Sequence, residues 1–337
     1  MNLSSGKAAI FAAFCCYALS SCAGGKLTRI EDAKELPPEL VKTGEKFEVK
    51  ELAPVVSDPK KKKKVAAKKK SRFSYPKRRP DKPAIWIGEE QTFEITYLRV
   101  QAGFLTLKAL PYKEVNSRQV YHVQATATTT KLFSLFYRLE DMVESFIDYD
   151  GLFSHRFHLK LDESVQTRNS LEFNDSEKMT TTYWNRANHR DKGKVDAIET
   201  KEIPRFPQDL LSSLYYLRNI PLPDGATISF NVVSEGKVET VLAKVLRRET
   251  VDTAAGTFKT IVVMPELKDK PKVGDSYLWL TDDDRRIPIK LEAKVKVGAI
   301  NMVMIRSEPG QDPLTTPVVV TPEPSPTPSP SESPKSE

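Results

Sequence analysis

The sequence predicts an all-β protein, mainly antiparallel, folded as a strongly curved sheet or open barrel with one or two short helices. Three observations carry this prediction. Apolar and polar residues alternate with period two through most of residues 84–308. Short turn signals, such as Asp150-Gly151 and Asn174-Asp175, break that alternation at hairpin spacing. Helical spacing is confined to two short stretches, and no internal repeat is present, so about eleven strands joined by short turns point to an antiparallel architecture.

The chain opens with an export signal. Lys7 precedes the apolar run "AAIFAAFCCYAL", Ala8 to Leu19, which at about a dozen residues is too short for the roughly 20 that span a bilayer. The run ends in "LSSC", Leu19 to Cys22, which is similar to the bacterial lipobox and predicts a signal peptide over 1–21 with lipidation at Cys22. Cleavage after Ala23, within "SCA", is the plainer alternative. A mature Cys22 bearing two or more acyl chains would anchor stably. Ala23 is not the aspartate of enteric inner-membrane retention, which points to an outer-membrane lipoprotein facing the periplasm, with the inner membrane and cell surface as alternatives.

Residues 22–83 read as a disordered basic tether, because they are charged, proline-broken and without sustained periodicity. Thirteen Lys or Arg and one acid fall between Lys60 and Lys82, a local charge of +12, against +7 for the whole chain. The remainder is therefore mildly acidic. The tract's Lys60, Lys61, Lys62, Lys63, Lys64, Lys68, Lys69, Lys70, Arg72, Lys77, Arg78 and Arg79 are the candidates for binding an anionic surface. An export signal and sparse aromatic residues argue against nucleic acid. Anionic phospholipid, lipopolysaccharide phosphates or peptidoglycan carboxylates suit them, at up to about 1 kcal/mol per Lys near the surface. The plainer reading is a solvated linker kept extended by its own charge.

The folded domain is expected over 84–308. Phe93, Ile95 and Tyr97 alternate with Glu94 and Thr96, and "FLTLKAL" and "VYHVQATAT" continue the pattern. "MVESFIDYDGLFSHRFHLKL" and "TRNSLEFNDSEKMTTTYW" read as hairpins. "NHRDKGKVDAIETKE" reads as a polar loop, followed by the best helix, "FPQDLLSSLYYLRN", with Pro207 and Asp209 suited to its start. A shorter helical piece is expected over "KLFSLFYR", Lys131 to Arg138. Strand patterns resume from "TISFNVV" to "AINMVMIR", and residues 309–337, rich in Pro, Ser and Thr, read as a disordered tail. All three cysteines lie within the first 22 residues, so the domain has neither a disulfide nor a thiolate metal site.

The segments "DLLSSLYYLRNIPLPDG", "ETVDTAAGTFKTIVVMP" and "YLWLTDDDRRIPIKLEAKVKVGAI", with "QAGFLTLKA" and "LFYRLEDMVESFIDYDGLFSHRF" before them, resemble the family named domain of unknown function 3108. The resemblance runs from about Gln91 to Arg306. It implies an envelope protein of Gram-negative bacteria and brings no activity, substrate or catalytic residue. By looser analogy with the periplasmic lipoprotein carriers, it suggests a curved sheet wrapped around a helix.

Several clusters invite chemistry. "WLTDDDRRIPIK", Trp279 to Lys290, sets three aspartates beside two arginines between two strand patterns. A turn whose carboxylates bond nearby backbone N–H groups explains them more simply than a metal or acid–base site, which would need further converging groups. "HRFH", His155 to His158, places two imidazoles on opposite faces of a strand, so they cannot share an ion. No nucleophile elbow, phosphate loop, dinucleotide fingerprint or zinc-protease motif occurs. The expectation is a non-enzymatic protein with no catalytic residue, metal or cofactor. Tyr215, Tyr216, Arg218, Trp279, Asp282 and Arg285 are the candidates for a ligand pocket or its rim, against an ordinary packing role. The leading expectation is a binding or carrier domain for an apolar ligand such as a lipid. The alternative is an envelope scaffold that docks protein partners.

Overall fold

The computed structural model describes residues 37–52, 73–269, 275–295 and 298–313. Helix α1 spans Pro38–Lys46 and the two-residue strand β1 Lys50–Glu51. Eight strands follow: β2 Ile87–Tyr97, β3 Val100–Val115, β4 Arg118–Thr129, β5 Glu140–Asp148, β6 Ser154–Asp162, β7 Gln166–Asp175, β8 Thr180–His189 and β9 Gly193–Glu202. Helix α2 spans Leu210–Arg218. The chain closes with β10 Thr227–Ser234, β11 Lys237–Thr253, β12 Gly256–Leu267, β13 Ser276–Thr281, β14 Pro288–Lys294 and β15 Ala299–Gln311.

All the strands belong to one sheet, ordered β10 to β15 and then β2 to β9, with β1 on β3. Every pairing between neighbouring strands is antiparallel, and β15 on β2 and β1 on β3 are the pairings that join strands not consecutive in the chain. The all-β prediction therefore holds. The sheet is curved but not closed. The β10–β11 turn reaches across to strands near the other edge: Gly236 N donates to Glu172 Oε1 at 2.7 Å, and Arg168 Nη1 to Glu235 Oε1 at 3.0 Å. Gln208 bridges the edge of β10, with Gln208 N donating to Asn231 O and Val233 N to Gln208 O. The other edge, β9, is exposed along almost its whole length and half of its residues are charged, which discourages a further strand from pairing there.

Helix α2 fills the concave side. Asp209 is its N-cap and accepts from Leu211 N at 2.8 Å and Ser212 N at 2.7 Å, while Asp209 N donates to Ser212 Oγ at 2.7 Å. Leu211, Leu214, Tyr215 and Leu217 are buried along with Ser212, Ser213 and Arg218. A helix covered on nearly all sides belongs to the core rather than the surface. The main core joins it to the inner residues of β2 to β6 and β11 to β15. Ile289, Leu291 and Ala293 of β14 face inward as the alternation required.

Four stretches differ from expectation. "NHRDKGKVDAIETKE" contains β9 rather than a loop; its two faces are equally wet, so no apolar alternation marks it. Residues 37–52 and 73–83, assigned on composition to the tether, pack on the sheet. Leu40 and Phe47 join Val115, Val120, Phe146, Leu171, Phe173 and Trp184 in a second core on the convex side. Phe73 and Tyr75 contact Phe153 and Phe206, and the Arg118 guanidinium lies 4.1 Å from the Tyr75 ring centre. The expected helix at 131–138 is only a three-residue 3-10 turn, Phe133–Leu135.

Candidate ligand-binding cleft

Strands that alternate in direction place their turns at two ends of the sheet. The β2–β3 turn, the β4–β5 loop, the end of β14 and the start of β15 share one end. The β13–β14 turn, the start of β2 and the C-terminus of α2 share the other. Six to eight residues of β2 separate Glu89 from Ile95 and Tyr97, roughly 20–27 Å of strand.

At the first end an apolar cleft opens between β2, β3, β4 and the β4–β5 loop. Ile95, Tyr97, Ala102, Gly103, Thr128, Thr129, Phe133, Tyr137, Leu139 and Ile300 line it, and the half-open hollow together with the solvent at its mouth measures about 490 Å³. Gly103 is required there, because a Cβ would lie 2.1 Å from Thr128 O. Its rim is exposed and apolar: Leu98 56%, Val100 51%, Leu132 67%, Leu135 78% and Phe136 76% exposed. Solvated single leucines are ordinary, but five such residues around one mouth make it a candidate interaction site.

Behind the cleft wall lies a buried acid pair. Tyr137 Oη donates to Glu163 Oε2 at 3.0 Å, and Gln166 Nε2 donates to the same oxygen at 2.7 Å. Asp141 accepts from Asp162 N at 3.1 Å. Burial first, and then the neighbouring Glu163 charge, push the Asp141 carboxyl up to about 9; burial also raises Glu163. A folded-state value above the unfolded one favours the protonated fold. That stability is complete below the ordinary carboxylate value near 3.8 and is lost as pH rises through about 9. Asp141→Asn, which stays neutral, should therefore gain on the native protein by on the order of 1–3 kcal/mol between about pH 5 and about pH 9. Urea midpoints at the two pH values measure it, and parallel profiles for the two proteins would refute the assignment.

The sequence-derived site residues gather at the opposite end. Arg218 is fully buried and forks onto Glu89, Nη1 to Oε1 at 2.5 Å and Nη2 to Oε2 at 3.0 Å, with Nη2 also donating to Ala84 O at 2.7 Å. Arg285 also donates to Glu89, lies 3.6 Å from the Trp86 ring centre, and donates to Pro309 O. Arg286 Nη1 donates to Arg218 O at 3.1 Å. The three aspartates act separately. Asp283 Oδ1 accepts from Arg285 N and Arg286 N, both at 2.9 Å, Asp282 pairs with Arg248, and Asp284 with Lys82. This is the turn the sequence suggested, and its arginines tie β2 and α2 together.

Tyr215 is buried under Arg218, 5.1 Å from ring centre to guanidinium, and its hydroxyl has no hydrogen-bond partner among the described residues. Tyr216 packs edge-on to Phe230, and Trp279 Nε1 donates to Glu249 Oε1 at 2.6 Å. None of these six residues lines the cleft. His155 pairs with Asp148, whereas His158 meets Glu144 and Asn169; among the described residues no cluster suited to a metal occurs. Arg78 and Arg79 dock on the domain through Asp150 O, and Arg79 lies 4.2 Å from the Tyr149 ring centre. Lys77 is exposed. Cys22 and the tract from Lys60 to Arg72 lie outside the described residues.

A single antiparallel sheet curled around a buried helix, with an apolar cleft at the end away from its buried arginines, defines the class: an all-β domain with a candidate apolar binding site. The chain belongs to the family described as Protein of unknown function (DUF3108), which matches residues 92–305. No curated protein matches it. Among solved structures it is similar to a β-barrel-like protein of domain of unknown function DUF1849 from Brucella abortus, with 10% identity, a TM-score of 0.44, and 66% of this chain and 98% of that one covered. It is also similar to a candidate lipoprotein from Parabacteroides distasonis, with 8% identity, a TM-score of 0.29, and 67% and 97% covered. A candidate exported protein with a YmcC-like fold from Bacteroides fragilis gives 12% identity, a TM-score of 0.30, and 70% and 99% covered.

Proposed function

We propose that the chain is a lipid-anchored, periplasm-facing binding domain of the cell envelope that takes an apolar ligand, the end of a lipid acyl chain, without catalysing a reaction on it. The observation that carries this reading is the apolar cleft opening among Leu98, Val100, Leu132, Leu135 and Phe136. Its walls offer an acyl chain apolar contact and few hydrogen-bonding groups, which suits an unfunctionalised hydrocarbon. Anchoring rests on the sequence: the "LSSC" motif at Cys22 and the basic tract that follows. The chain segments flanking that tract, ending at Leu52 and beginning at Phe73, pack near Lys113 and Phe206 at the end opposite the cleft. In this arrangement the mouth faces away from the surface the tract would hold.

A second reading is a scaffold that docks a protein on the same rim. It is favoured by one observation: α2 fills the concave side, so the interior is a packed core and the binding surface is confined to the mouth. Native mass spectrometry of the protein purified from its own envelope separates the two. Co-purified lipid is expected, and Ala102→Phe, which fills the cleft from its wall, should lower lipid occupancy at least about tenfold, the equivalent of about 1.4 kcal/mol. A ligand-free protein in a stoichiometric complex with another polypeptide would replace the first reading with the second.

A further inference from the structure

The rim is more apolar than a ligand cleft needs. We infer from it that the cleft end seats on a lipid leaflet bearing anionic headgroups, with Leu98, Leu132, Leu135 and Phe136 among the acyl chains. The inference deepens the proposed function by naming the surface from which the cleft would take its ligand.

Local structure spends effort to present these side chains. Leu98 and Arg99 form the whole β2–β3 turn at φ 49° and 66°, a conformation that Asn-Gly adopts readily and leucine does not. In the β4–β5 loop the 3-10 turn carries Phe133 into the cleft wall and leaves Leu132, Leu135 and Phe136 at 67%, 78% and 76% exposure. The two apolar tips thus flank the cleft mouth.

Charge selects the partner. Arg99 adjoins Leu98 and Lys131 adjoins Leu132, and neither cation forms an ion pair among the described residues. Of the acids at the same loop end, Glu140 and Asp162 share Arg138, and Glu94 is held by the uncharged Gln101 amide at 2.8 Å, so the unpaired cations are those at the two apolar tips themselves. Apolar tips with unpaired cations directly beside them match the order of an anionic bilayer surface, headgroup charge outside and hydrocarbon within.

The test uses the full chain carrying Phe136→Trp, mixed with vesicles of phosphatidylethanolamine and phosphatidylglycerol whose acyl chains are brominated or plain. The native tryptophans are distant or shielded: Trp184 and Trp279 are buried, and Trp86 lies under Arg285 at the opposite end. Emission is expected to shift to shorter wavelength on plain vesicles and to be quenched on brominated ones. The basic tract is identical in every arm and, by itself, binds headgroups without carrying position 136 into hydrocarbon. Bound protein whose emission is neither shifted nor quenched overturns the inference.

On the same background, Leu132→Ser together with Leu135→Ser should abolish the quenching and lower vesicle partition at least about tenfold. Quenching unchanged by that pair also counts against it. Self-association without vesicles, removed by the same pair, would make a second copy the occupant and overturn the lipid assignment. Lipid co-purifying without insertion would refute this inference and leave the cleft reading standing; insertion by a protein that never carries lipid would do the reverse.

Discussion

Arg218→Met is expected to destabilise the domain by about 3–5 kcal/mol, the cost of leaving a buried carboxylate without its main partner. Glu89 and Arg218 are both buried, 129 residues apart in sequence, and the guanidinium also donates to Ala84 O and, from Nε, to Arg285 O at 3.1 Å. Methionine matches the stem but supplies none of the donors. Arg285, the remaining cation on Glu89, is only partly buried and cannot reproduce the fork. Urea unfolding at constant slope measures the loss. Adding Glu89→Gln should recover a substantial part of it, because the stranded charge goes with the substitution. A single-variant cost under about 1 kcal/mol would place the pair among surface-like contacts and contradict the buried geometry.

Phe47→Ala should cost about 3–5 kcal/mol, as for a large side chain removed from a packed core. Phe47 is 2% exposed and stacks on Phe173 at 5.5 Å between ring centres, and Leu40 and Trp184 complete the convex-side cluster. Lys46 adds an ion pair with Asp175 at 2.8 Å, and Arg156 Nη1 donates to Phe47 O at 3.2 Å. Equilibrium unfolding gives the magnitude, and limited proteolysis gives the location, since the variant should be cut between residues 37 and 52 before the sheet is touched. If these residues were a tether, the substitution would fall within about 0.5 kcal/mol of the native protein, and the protease would cut both proteins alike.

The strands were legible where one face is dry. β2, β14 and the first half of β15 show clean alternation. The Asp150-Gly151 signal marks the turn between β5 and β6, and Asn174-Asp175 end β7 just before the turn at 176–179, whose Glu177 and Lys178 N–H groups Asp175 holds. Helix α2 was legible from its spacing and its Asp209 cap. β9 was not, because an edge strand wet on both faces has no apolar period. Residues 37–52 were not, because few apolar residues among lysines and glutamates resemble a solvated linker until a hydrophobic surface is there to receive Leu40 and Phe47.

The cleft was the larger omission. Its walls come from β2, β3, β4, the β4–β5 loop and β15, so no window of sequence contains it. A signal existed in "KLFSLFYR": Leu132, Phe133, Leu135, Phe136 and Tyr137 are too many apolar residues for a short turn to bury. A second lay in Leu98-Arg99, where a hairpin tip carries a leucine instead of a turn former. The six candidate residues drawn from the sequence were gathered as one group of tyrosines, tryptophan and charges. The structure gives them to an ion-pair cluster and a packed core at the far end from the cleft.

By itself the sequence determined the class of fold, the presence of the buried helix near Asp209, and the turn character of "DDDRR", because each depends on local periodicity or on hydrogen bonds within a few residues. Only the tertiary structure decided that Arg285 and Arg218 converge on Glu89 and that the turn lies at the filled end of the sheet. It also decided that the apolar tips surround the open end. Those outcomes depend on the pairing of β15 with β2 and on the curvature of the sheet. Pairing of distant strands sets which faces and which charges meet, and no local pattern encodes it.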